Sequence, residues 1–236
     1  MRRRASILIA CAFASGAIAT EASSQRTGSR IGKTAGAGDG RDALRLIADC
    51  VVGKRPNLTA QWLDVSPGST QEGKLLDANN ALFSDCMTSD RLVLDGMELK
   101  FKRSMLRRPI AASAIRLRLR GKPTPPLPTV TAPWYESHAL MVSAGSGVDS
   151  NALALQAFGH CVGLARWDSS VALLKSQIDS REETAALAQI IPALGPCLPA
   201  KETIKVRRDM IRDILAEPVY HLLTAADGQG STNAHS

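Results

Sequence analysis

The chain has 236 residues, of which 44% are hydrophobic but only 4% aromatic, with a formal net charge of +7. So few aromatic residues leave Leu, Ile, Val and Ala to build the core, which argues against an all-β sandwich and towards helices packed on helices. The length suffices for one or two small domains.

The chain opens with Arg2, Arg3 and Arg4, then a short apolar run from Ser6 to Ile18 and the small-x-small triplet Ala17-Ile18-Ala19. This is the pattern of a secretory signal over residues 1–19, cleaved after Ala19. The run is too short to span a bilayer, and no transmembrane segment is expected after cleavage. Leu8-Ile9-Ala10-Cys11 has the outline of a lipoprotein box, so lipidation of Cys11 is the alternative to its removal. Cleavage lowers the formal charge to +4, from 26 basic and 22 acidic residues. It also leaves an even set of cysteines, Cys50, Cys86, Cys161 and Cys197, in a chain bound for an oxidising periplasmic or extracellular compartment.

Residues 20–41 are Gly, Ser, Thr, Ala and scattered charge with no apolar period, which predicts a flexible leader. From Asp42, Leu44, Ile47 and Val51 recur at helical spacing, and Gly53 and Pro56 end that helix. A second helix is expected over Asn57 to Val65 with Trp62 and Leu63 inward. The third has the best start signal: Pro67-Gly68, then the capping box Ser69-Thr70-Gln71-Glu72, then one face of Leu76, Asn79, Leu82, Phe83 and Cys86. A fourth is expected from Met97 to Arg118. Residues 121–150 form a linker whose first half, with Pro123, Pro125, Pro126, Pro128 and Pro133, is stiff and extended. Trp134-Tyr135 and Leu140-Met141-Val142 are apolar enough to dock on the helices.

The order then repeats. Cys161 and Cys197 each lie 111 residues after Cys50 and Cys86. The same offset relates Leu44 to Leu155, Val51 to Val162, Ser69 and Glu72 to Ser180 and Glu183, and Leu76 to Leu187. Beyond the second cysteine the offset is 105, relating Met105-Leu106-Arg107 to Met210-Ile211-Arg212 and Ile110-Ala111 to Leu215-Ala216; an insertion of 6 residues in the first copy accounts for the change. The second copy predicts helices on Leu155, Phe158 and Val162, over Asp168 to Ile178 with Trp167 in the turn before, from the box Ser180-Arg181-Glu182-Glu183, and over Ile204 to Leu223. Pro192 should kink the third of these, and Pro196 and Pro199 should end it. The tail, 224–236, is expected to be disordered. The fold expected is therefore all-α: two tandem, duplicated helical units of about four helices each, residues 42–120 and 151–223.

Duplication selects the pairings Cys50–Cys86 and Cys161–Cys197 among the three that four cysteines allow, because each copy should once have folded alone. Each staple would contribute on the order of 4 kcal/mol in the chain-entropy treatment. Zinc is disfavoured because no close C-x2-C pair occurs, and no metal or other cofactor is expected.

The histidines His138, His160, His221 and His235 do not cluster, and no G-x-S-x-G, P-loop or H-E-x-x-H is present. The only biased patch is basic: Lys100, Lys102, Arg103, Arg107, Arg108, Arg116, Arg118, Arg120 and Lys122, with no acidic residue among them. Such a run is a candidate contact for an anionic surface, set against the plainer reading of a solvated helix face. The groove-reading motifs of nucleic-acid binders are missing.

The pattern resembles small exported bacterial proteins of unknown function with paired half-repeats. It rests on Cys50, Pro67, Gly68, Ser69, Glu72, Cys86, Arg107, Ile110 and Ala111, and then on Cys161, Ser180, Glu183, Cys197, Arg212, Leu215, Ala216 and Glu217. The resemblance implies export and the duplicated helical fold, and no activity. The role expected is non-catalytic binding or interaction, with another envelope protein or an anionic surface as partner. The rivals are a hydrolase-like enzyme whose carboxylates or His160 meet between the copies, and envelope association through residues 100–122.

Overall fold

The computed structural model describes residues 40–88, 103–129, 133–134, 150–198 and 206–232. The expected signal, Cys11, the leader up to residue 39, Lys100, Lys102, most of the linker, Pro199 and His235 lie outside them. The described residues form nine α-helices and one 3-10 turn, with no strand. In the amino-terminal half these are α1 (Gly40–Lys54), α2 (Pro56–Asp64), α3 (Thr70–Ala78), α4 (Asn80–Met87), the turn Arg103–Leu106 and α5 (Arg107–Arg118). In the carboxy-terminal half they are α6 (Ser150–Ala165), α7 (Trp167–Lys175), α8 (Arg181–Leu194) and α9 (Arg208–Thr232). No helix among the described residues is long and apolar enough to cross a membrane.

The local rules hold where they are strongest. Pro56 opens α2 at its first position, where its missing amide costs nothing. Ser69 Oγ accepts from the Glu72 amide at 3.1 Å, and Ser180 Oγ accepts from the Glu183 amide at 3.1 Å. Each glutamate reaches back past the cap to the preceding residue: Glu72 Oε2 accepts from the Gly68 amide and Glu183 Oε2 from the Asp179 amide, both at 2.6 Å. Gly68 and Asp179 both sit in the left-handed region, at φ 76° and 59°. Glycine is at ease there, and aspartate is one of the few side chains that tolerates it.

Two disulfides, Cys50–Cys86 and Cys161–Cys197, tie α1 to α4 and α6 to the segment after α8. The sequence pairing is therefore the one found, and cross-links of this kind belong to an oxidising compartment. One buried apolar cluster runs through both halves, from Ile47, Val51, Trp62 and Leu63 through Ile110 and Ile115 to Phe158, Val171, Leu174, Ile190 and Leu215. At its centre α5 and α9 pack on each other; α1 flanks α5 and α6 flanks α9.

Several expected boundaries move. The expected third helix breaks at Asn79, whose Nδ2 donates to the Leu75 carbonyl at 2.8 Å instead of entering the core. At the matching place in α8, Ile190 is buried and the helix is continuous. Pro192 is accommodated in the last turn of α8, which stops at Leu194. Trp167 is the first residue of α7 rather than part of a turn; its ring is buried and its Nε1 donates to the Pro125 carbonyl at 2.8 Å. That bond, together with Lys175 Nζ to the Lys122 carbonyl at 2.7 Å, fastens the proline-rich segment to α7. Trp134 stacks on His221 with ring centroids 3.9 Å apart. The last helix continues to Thr232, beyond Leu223 and into the expected tail.

Candidate functional site

The site grows from Arg107, the first residue of α5. Its side chain is 5% exposed, and every guanidinium hydrogen has an acceptor. Nε donates to Glu217 Oε1 at 2.7 Å. Nη1 donates to the Trp62 carbonyl at 2.9 Å and to Glu72 Oε1 at 3.0 Å, and Nη2 donates to the Leu63 and Val65 carbonyls, both at 2.8 Å. The arginine thus bridges two buried carboxylates, one positive charge against two negative, and helps to close the carboxyl end of α2. Glu72 completes the knot by accepting from Trp62 Nε1 at 2.7 Å. Glu217 comes from the other half, on α9, and its second oxygen accepts from Gln156 Nε2 at 2.5 Å. Burial pushes the Glu217 carboxyl up, but the Arg107 charge, then the neighbouring His221 and the Arg107 hydrogen bond, outweigh this and hold it below the usual carboxylate range. The same charges keep Arg107 above an ordinary guanidinium, against its own burial.

A second cluster stands opposite. Arg212 on α9 donates from Nη2 to Glu183 Oε1 at 2.7 Å and to Ser176 Oγ at 2.9 Å, and from Nη1 to the Ser176 carbonyl at 3.3 Å. Glu183 is the capping glutamate of α8, as Glu72 is of α3. A third cation, Arg116 on α5, donates to Asp49 Oδ1 at 2.5 Å, an oxygen that also accepts from Ser113 Oγ. Burial and the nearby charges of Arg45 and Arg212 lower the Arg116 pKa against the pull of Asp49.

Between these clusters lies a cavity of about 760 Å³, within the range of small-molecule sites. Arg45, Arg107, Arg108 and Arg116 line it from one half and Arg208 and Arg212 from the other. Its acids are Glu72, Asp179, Glu183, Asp213 and Glu217, and its apolar wall includes Leu44, Met105, Pro109, Ala112, Ile178 and Leu187. Met105 is 54% exposed at the rim.

The basic run of the sequence is dispersed by this arrangement. Arg107 is not a surface residue at all, because α5 turns it into the core. Arg103 is paired with Asp77 at 2.6 Å, Arg116 with Asp49, and Arg118 donates to the Leu223 carbonyl at 2.8 Å. Arg108 lines the cavity and Arg120 is exposed; neither has a side-chain partner among the described residues. His160 and His221 are both buried, and neither lines the cavity. His221 Nε2 is 3.9 Å from Glu217 Oε1, too far for a hydrogen bond. Among the described residues no three His, Cys, Asp or Glu are grouped to hold a metal ion.

No family model, no curated protein and no solved structure matches the chain.

Proposed function

We propose that this is an exported, non-catalytic binding protein made of two tandem, duplicated disulfide-stapled units, with its ligand site in the cavity between them. The observation that carries the reading is the cavity itself: its size is that of a ligand site, and residues of both halves line it. Duplication is supported by equivalent parts in the two halves. Each has a 36-residue disulfide span, a serine cap, a glutamate reaching back to a left-handed residue, and an arginine closing on that glutamate. Export is supported by the signal-like first 19 residues and by the disulfides. Fluorimetric melting of the disulfide-bonded protein against a chemically broad set of small molecules tests the reading. At least one class should raise the melting temperature, and Ala152→Trp, which fills the cavity from α6, should remove the shift. If no class does so, or the shift survives in Ala152→Trp, the cavity is not the site.

A further inference from the structure

The cavity is lined by both charged and apolar side chains, and not all of its cations are matched by acids of its own wall. Arg107 and Arg212 are tied to Glu72, Glu217 and Glu183. Among the described residues Arg45 has only a neutral partner, Gln177 Oε1 at 2.8 Å, in a bond that reaches from α1 to the turn after α7. Arg108 has no partner among the described residues. Arg116 also lines the cavity and is paired with Asp49, an acid that is not part of the wall. One acid of the wall, Asp179, has no hydrogen bond or ion pair to these arginines among the described residues, and it is exposed at the turn before α8. The cavity therefore presents guanidinium groups not taken up by the acids of its own wall, together with apolar side chains that include Leu44, Ala112, Ile178 and Leu187.

Guanidinium groups are weakly hydrated, planar and forked, so they bind a partly desolvated carboxylate or phosphate through charge-assisted, often bidentate hydrogen bonds. The apolar wall would be covered by the body of the same molecule. From this we infer that the cavity takes an amphiphilic organic anion, its carboxylate or phosphate head among Arg45, Arg108 and Arg116 and its hydrocarbon part against Leu44, Ala112 and Leu187. The inference rests on the reading of the cavity as a ligand site. It adds the class of ligand and the residues that select it. Gln177 acts as the stand-in that the head displaces from Arg45.

Isothermal titration of the disulfide-bonded protein with decanoate, decyl phosphate, decanol and decylamine tests it. Both anions should bind, the amine should not, and binding should weaken with added salt. The ratio of the two anions tells a carboxylate head from a phosphate head. Arg45→Gln and Arg108→Gln, which break no internal ion pair, should each weaken decanoate binding about tenfold or more, the effect of losing one hydrogen bond to a charged group. Equal binding of decylamine or decanol, or unchanged binding in both arginine variants, would overturn the anionic seat and leave the cavity as a ligand site for something else. Failure of both anions to bind would overturn it as well. Decanoate binding undiminished in Ala152→Trp would put the ligand outside the cavity and overturn the parent reading too.

Discussion

Arg107 gives all five of its guanidinium hydrogens to the protein interior, and its partners come from positions 35 to 110 residues away. A buried ion pair adds little over a well-packed apolar substitute, but removing one member strands the others. Arg107→Met should therefore cost about 3–5 kcal/mol in denaturant unfolding, and Arg107→Lys should recover only part of it, since an ammonium has three donors and no fork. A loss below about 1 kcal/mol, the scale of an exposed pair, would mean that Glu72 and Glu217 are solvated some other way. Glu217 makes the stability depend on pH. Its folded pKa lies below the reference value of 4.5, so its contribution is present above that reference and is lost as the pH falls through the lower folded value. The unfolding free energy should decline on acidification below about pH 5, and Glu217→Gln should flatten that decline. An equally steep decline in the variant would assign it to other carboxylates. Little of this was legible beforehand. In sequence Arg107 stands in a run of bases with no acid near it, which reads as a solvated face. The usable signal was register: Glu72 and Glu183 recur at one offset and Arg107 and Arg212 at the other, so the same acid and base recur in each half.

Among the helices, the tightest contact is α6 on α9. Pro218 lacks the amide that would bond the Ile214 carbonyl, and the backbone of Gly159 lies against that carbonyl. A Cβ on Gly159 would collide with the Ile214 carbonyl oxygen and come within 2.9 Å of Pro218 Cγ. Neither obstacle is a flexible side-chain tip. Gly159→Ala should thus destabilise the protein by about 2–3 kcal/mol, although alanine favours helix over glycine. A stabilised variant in thermal melting would show that the two helices can part without cost. The staples act on a different scale. Replacing Cys50 and Cys86 together by alanine should cost about 4 kcal/mol through the freed unfolded chain, checked by the midpoint and slope of a urea titration. A cost under 1 kcal/mol would mean that the reduced chain stays compact. Both capping boxes could be read from spacing because each depends on a few residues close in sequence, and the disulfides could be read because their 36-residue span occurs twice. The break at Asn79 could not: the amide had two outcomes open to it, a partner in the core or a bond to its own helix, and only the packed structure decides for the Leu75 carbonyl.

Across the whole molecule, the two staples lie within halves while the core and Arg107–Glu217 join them. Unfolding of the oxidised protein should therefore be one transition, with tryptophan fluorescence and far-ultraviolet circular dichroism coincident. Two separated transitions would mean that the halves are independent and that the shared cluster of Ile110, Ile115 and Leu215 contributes little. Sequence patterning placed Ile47, Val51, Trp62, Leu63, Phe83, Phe158 and Val162 inward, because apolar periodicity is local, but it named no inward face for the central helices α5 and α9. Whether the halves share a core was not written in either one alone, since it depends on which faces α5 and α9 turn towards each other. The ion pair that spans them also bears on the order in which the chain is made. Synthesis runs from the amino end, so Arg107 emerges with Glu72 already beside it, and Glu217 arrives 110 residues later to a base that is in place. A circularly permuted chain starting at α6 would meet its buried acid before its base. The natural direction leaves one buried carboxylate, Glu72, ahead of the shared base, where the permuted chain would leave both.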